Sequence, residues 1–139
     1  MSSINNSIQP VFNDIMLIDD DVIFVSIFSL MNKKSQFSKN LTTFNNPYAA
    51  IEALVQLKEF GKLPELIFLD LNMPLIDGWL FLNQMKELSI ETPIVILTSS
   101  INETDIIKSK KFHQVKKFIS KPVNREKIEE IAEILERVG

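Results

Sequence analysis

The chain has 139 residues, 45% of them hydrophobic, no cysteine, and a formal net charge of −3. That length holds one ordinary domain with its own core and leaves little for a second. The acidic balance disfavours a nucleic-acid surface, which needs clustered Lys and Arg, and the lack of cysteine excludes disulfides, thiolate metal sites and cysteine nucleophiles and points to a cytoplasmic setting. Residues 1–10 are polar, without the basic start and apolar core of a signal peptide, and read as a flexible tail ahead of a single domain over residues 11–139. Residues 11–18 predict a first strand, after which Asp20 or Asp21 caps a strongly apolar helix over 22–33, expected to be buried on two sides. Broken by Ser26 and Ser29, that apolar stretch is about half the roughly 20 residues a membrane span needs, so no anchor is expected.

A short strand follows at 41–44. Asn46-Pro47 supplies a cap and a proline for the first helical position, opening a helix over 48–60 that Gly61 ends. Ala50, Ile51, Leu54 and Leu57 form its inward stripe. The continuous apolar run 66–69 suits a central strand buried on both faces, and Asp70 terminates it. Pro74 and an Asp77-Gly78 turn mark 71–78 as a loop before a helix over 79–88. After Pro93 comes a strand at 94–97, then a helix capped by Asn102 and running through about 112, then a strand at 117–120 stopped by Pro122. Asn124 caps a last amphipathic helix with Ile128, Ile131, Ile134 and Leu135 facing inward.

Strands alternating with helices predict an α/β fold, a parallel sheet with crossover helices on both faces. Its strands end along one edge, where residues distant in sequence can meet. Asp19, Asp20, Asp70, Thr98 and Lys121 all fall at such ends. Two carboxylates about 4 Å apart repel by roughly 4 kcal/mol at an effective dielectric near 20, so three of them demand a proton or a cation. Without imidazole or thiol nearby, the hard oxygen set favours Mg²⁺ over zinc. Lys121 adds a mobile positive charge and Thr98 a neutral donor. Such a pocket is equipped to receive a phosphoryl group on a carboxylate oxygen. Taken singly, these residues have plainer readings: Asp19 to Asp21 as caps, Thr98 as a strand residue, Lys121 as a solvated lysine. Their coincidence is what points to a site.

Four segments carry a resemblance: IMLIDDD at 15–21, LIFLDLNMPLIDGW at 66–79, PIVILTSS at 93–100 and FISKP at 118–122. In this order and spacing they resemble the receiver domain of two-component response regulators, over about residues 12–137. The resemblance implies a doubly wound five-stranded sheet of flavodoxin-like order 2-1-3-4-5. It implies a stand-alone phosphoacceptor that takes a phosphoryl group on Asp70 from a histidine kinase or histidine phosphotransfer protein and signals to a downstream protein. Monomer or activation-dependent homodimer both suit that role; nucleic acid and membrane do not enter it. By the same resemblance Asp19 and Asp20 hold Mg²⁺ with Asp70 and the main-chain carbonyl of Asn72. Thr98 is the switch hydroxyl, Lys121 the phosphoryl-pairing lysine, Phe118 the switch aromatic, and Ser99 a small residue offering its backbone N–H. Asn72 and Ser100 lie where members of the family vary and tune phosphoryl lifetime. Lys121-Pro122 is expected to be cis. The chain departs from the pattern before its last strand, where Gln114-Val115-Lys116-Lys117 replaces a Gly-Ala pair.

Other readings are a receiver-like interaction module that is never phosphorylated, a haloacid-dehalogenase-like phosphatase and a flavin-binding sheet. The phosphatase chemistry wants an Asp where Asn72 stands, and Asp19 to Asp21 would repel a flavin phosphate. No enzyme activity beyond self-catalysed phosphorylation and dephosphorylation is expected. His113 reads as a surface residue and the lysines of 108–117 as a solvated face.

Overall fold

The computed structural model describes residues 10–74 and 77–138. All of the expected tail except Pro10 lies outside the described residues, as do residues 75 and 76 of the loop ahead of Gly78. Five strands, β1 (Phe12–Ile18), β2 (Ser38–Phe44), β3 (Leu66–Asp70), β4 (Ile94–Thr98) and β5 (Val115–Ser120), pair in parallel in the order β2-β1-β3-β4-β5. Between and after them run α1 (Val22–Ser35), α2 (Pro47–Glu59), α3 (Gly78–Glu87), α4 (Glu103–Ser109) and α5 (Arg125–Val138). The doubly wound order 2-1-3-4-5 is the one expected.

Successive strand residues point to opposite faces, and the sheet divides its apolar residues accordingly. Met16, Ile18, Ile67, Leu69 and Ile96 pack with Ala50 and Leu54 of α2 and Phe81, Leu82 and Met85 of α3. Ile15, Leu17, Phe68 and Leu97 pack with Phe28 of α1 and Ile128 and Ile131 of α5. β3 and β4 are buried along their whole length, which is why they read as uninterrupted apolar runs. Side chains cap the helices as polar residues before apolar runs should: Asp21 accepts from the N–H groups of Ile23 and Phe24, Asn46 from Ala49, and Asn102 from Asp105. Asn124 Oδ1 accepts from Lys127 N–H. Asp77, expected only to turn the chain, is the N-cap of α3.

Several expectations are corrected. α1 is not buried on two sides. Phe28 and Asn32 are its buried residues, while Val22 is 77% exposed and Ile27 57%, with Ile23 and Leu30 also exposed. Only one side of the helix meets the sheet, and among the described residues nothing covers the other.

β2 starts at Ser38 rather than 41, because the buried Asn32 side chain accepts from Ser38 N–H at 2.9 Å and Ser38 O–H at 3.0 Å, tying that strand to α1. α4 stops at Ser109 instead of about 112: Lys110 N–H and Phe112 N–H donate to Ile107 O and Ser109 O, tightening the chain and sending Phe112 inward onto Trp79. β5 begins at Val115, and its register slips against β4, with Val115 opposite Ile94 but Lys117 opposite Val95. The buried Gln114 side chain fixes this start by donating to Ile90 O and Thr92 O, both at 3.1 Å.

Candidate functional site

The chain moves from β1 outward to β2 and then back across β1 to β3, so the sheet reverses its winding between β1 and β3. A crevice opens at the carboxyl ends of strands at such a reversal. Asp19 follows β1 and Asp70 ends β3, on neighbouring strands whose Ile18 and Leu69 are partners. Their positions are fixed by main-chain bonds. Asp19 N–H donates to Phe44 O, and Asp19 Oδ1 accepts from Asp21 N–H at 2.9 Å. Asp70 Oδ1 likewise accepts from Asn72 N–H at 2.9 Å. Gly78 lets α3 begin against this loop, since a Cβ there would lie 2.9 Å from Leu71 Cδ2 and 3.5 Å from Asp70 O.

Asp19, Asp70 and Thr98 are each at most 2% exposed, and Asp20 stands at the mouth in solvent. One oxygen from each of Asp19, Asp20 and Asp70 lies within 4.8 Å of the others. Lys121 Nζ approaches from β5, 2.8 Å from Asp19 Oδ2 and 3.5 Å from Asp70 Oδ2, and rests 4.3 Å from the Phe24 ring centroid. Asp19 Oδ2 is buried with the Lys121 ammonium beside it and, among the described residues, no other donor. Three converging carboxylate oxygens, all hard donors, suit a divalent cation.

Burial pushes the Asp70 carboxyl up to about 6, helped by the Asp19 charge, while the Asn72 N–H bond and the Lys121 charge pull the other way. Burial acts to lower the Lys121 ammonium, but the close Asp19 contact and the charges of Asp70, Asp19 and Asp21 outweigh it and the net movement is upward. At neutral pH the cluster thus holds an ionised Asp70 with unusual proton affinity beside a firmly charged lysine.

Across the crevice, the single Thr98 hydroxyl proton has two acceptors in reach, Asn72 Oδ1 at 2.8 Å and Ser100 O at 2.9 Å, and Ser99 N–H donates to Asn72 Oδ1 at 2.6 Å. Lys121 N–H donates to Thr98 O at 2.8 Å, locking the end of β5 to that of β4, and the Lys121-Pro122 bond is cis as expected. Asp19, Asp20, Asp70, Asn72, Thr98, Ser99 and Lys121 therefore meet in one crevice. Phe118 is half-buried on β5, against the core and at the edge of a cavity of about 530 Å³ shared with Ile101, Ile106, Lys110 and Lys117. His113 is at the surface, 3.2 Å from exposed Glu91.

Two participants escaped the sequence reading. Phe24, one turn into α1, flanks the lysine; its spacing from Asp20 and Asp21 is the signal that could have found it. The Asn72 side chain, rather than only its main-chain carbonyl, enters the site.

Residues 15–133 match the family model of the response regulator receiver domain, and the chain belongs to that family. Response regulator Rcp1 of Synechocystis sp. is 33% identical over 103 residues, covering 71% of this chain and 70% of Rcp1. The Mn²⁺-bound structure of Rcp1 superposes with a TM-score of 0.66 at 29% identity, covering 89% of this chain and 91% of that one. A two-component response regulator from Cytophaga hutchinsonii gives a TM-score of 0.79 at 25% identity, covering 90% and 98%. The phosphorylated cyanobacterial phytochrome response regulator RcpA gives 0.69 at 29% identity, covering 91% and 92%. The chain is thus a phosphoacceptor receiver of two-component signalling, a class that works with histidine kinases and downstream targets. Among the described residues no helix is long and apolar enough to cross a membrane.

Proposed function

We propose that Asp70 is the residue that accepts the phosphoryl group. One observation carries the assignment: Asp70 is a buried, strand-ending carboxylate with an ammonium at 3.5 Å on one side and, through Asn72, the donors of Thr98 and Ser99 on the other. An Asp70 oxygen attacks the phosphorus of a phosphohistidine on a kinase or phosphotransfer protein. The P–N bond breaks with its electron pair on nitrogen, and imidazole leaves, neutral when its second nitrogen carries the proton. Lys121 and the Thr98 hydroxyl are placed to meet charge on the transferring oxygens.

Mg²⁺ is the cation this set of oxygens fits best. Asp19, Asp20, Asp70 and the Asn72 main-chain carbonyl would hold it, and when bound it neutralises charge on phosphoryl oxygens. Burial of Asp70 and Asp19 keeps bulk water from competing for those contacts. Asn72 carries no acid proton to donate to a leaving group, so turnover of phosphomonoesters is not part of the proposal. The chemistry is confined to its own aspartate, and a cytoplasmic setting belongs to the same reading.

The test is mass spectrometry of the intact protein after incubation with Mg²⁺ and a small phosphodonor. Wild type should gain one labile phosphoryl group and Asp70→Asn none. A bare wild type, or a variant that is still modified, would count against the assignment.

A further inference from the structure

We propose that the side-chain oxygen of Asn72 occupies, in the resting protein, the seat of a phosphoryl oxygen, and that it must swing out before the site can be filled. The inference rests on the reading of Asp70 as the acceptor.

Three donors converge on Asn72 Oδ1: Ser99 N–H at 2.6 Å, Thr98 O–H at 2.8 Å and Ser99 O–H at 3.2 Å. A carboxamide oxygen is neutral and has two lone pairs, so three donors exceed what it can satisfy well. A backbone amide and hydroxyls aimed at one point suit an oxygen that carries negative charge. The anchor of the arrangement is the acceptor itself. Asn72 N–H donates to Asp70 Oδ1, which holds residue 72 beside Asp70 while its side chain reaches over to the end of β4. A phosphoryl group on Asp70 would need the same Thr98 and Ser99 donors.

The device is reversible at little structural cost. Asn72 and Ser99 are both exposed, so turning the amide outward disturbs no core packing. Thr98 has a second acceptor waiting in Ser100 O at 2.9 Å. Asn72 thus acts as a positioning residue with two opposed effects. It keeps the Thr98 hydroxyl and the Ser99 amide aimed into the crevice, and it charges an entry cost to any phosphoryl oxygen that takes them.

Asn72→Ala keeps the main-chain carbonyl and the N–H to Asp70 while removing the stand-in oxygen. Two measurements on full-length wild type and variant test the idea: the amide-proton shift of Ser99 in ligand-free protein, and affinity for beryllofluoride at saturating Mg²⁺, both by NMR. The proposal expects the Ser99 proton to lie well downfield in wild type and to move upfield in the variant. It expects beryllofluoride to bind the variant roughly tenfold more tightly, the scale of releasing one or two neutral hydrogen bonds. If wild type binds and the variant binds equally or more weakly, the stand-in role is overturned while the acceptor reading survives. If neither binds, both fall.

Discussion

Lys121 Nζ lies 2.8 Å from Asp19 Oδ2, closer than the 3.5 Å that separates it from Asp70 Oδ2. The lysine therefore leans toward the neighbouring acid and leaves the buried Asp70 incompletely neutralised. Phe24 holds the ammonium from a third side, a contact of about 0.5–2 kcal/mol depending on desolvation. A cation taken up by Asp19 would relieve that pairing and leave Lys121 able to turn to Asp70 or to a group carried on it.

Asp70 should make stability depend on pH. Its carboxyl binds a proton more tightly in the folded protein, at about 6, than in the unfolded chain, near 3.8. Between those values the folded state holds a proton the unfolded state has lost, so stability falls as pH rises through that window and the full penalty is present above it. At about 1.36 kcal/mol per tenfold change in proton affinity, the penalty is roughly 2–3 kcal/mol. Asp70→Asn should therefore be more stable than wild type by about 2 kcal/mol at pH 8 and no more stable below pH 4. Urea denaturation at the two pH values measures both numbers; an equal difference at both would remove Asp70 as the cause.

Divalent cation should stabilise the fold through the same acids. A ligand that binds only the native state adds about 2.7 kcal/mol at a hundredfold excess over its Kd. Wild type should show a Mg²⁺-dependent rise in melting temperature that saturates, and Asp19→Asn should need at least tenfold more Mg²⁺ for the same rise. Identical titration curves would mean that Asp19 is not a ligand.

Thr98 should separate chemistry from signal. Thr98→Ala leaves Asp70 and Lys121 in place, so phosphorylation should slow by less than about threefold, under ~1 kcal/mol. The change in chemical shift at Phe118 on activation should be largely lost, because the hydroxyl that ties the end of β4 to the crevice is gone. Equal loss of both responses would contradict that division.

The two apolar sides of α1 should respond oppositely. Phe28 is fully buried, 4.9 Å from the Phe68 ring, so Phe28→Ala should cost about 3–5 kcal/mol. Ile27→Lys, on the exposed side, should change stability by no more than about 0.5 kcal/mol. A large cost at Ile27 would mean that this side is covered after all.

Much of the fold was legible because its signals are local. Asn46-Pro47, Asn102 and Asn124 cap helices as read, and the fully buried β3 and β4 left unbroken apolar runs. The site was legible too, since residues at strand ends need only a parallel sheet to bring Asp19, Asp70, Thr98 and Lys121 together. What escaped depends on contacts across the fold. The apolar sequence of α1 carries no mark of which side meets the sheet, so burial on both sides was the natural expectation. The start of β2 is set by Asn32 and that of β5 by Gln114, buried amides whose partners lie in other elements. The reach of Asn72 Oδ1 to Thr98 and Ser99 depends on a side-chain torsion that spacing does not encode.

The central claim is that the phosphoryl group resides on Asp70. Borohydride reduces an aspartyl phosphate to homoserine, and peptide mapping of the reduced, phosphorylated protein locates that residue. Homoserine at position 70 alone is the expected result; homoserine at 19 or 20, or none in protein shown to carry phosphate, would contradict the account.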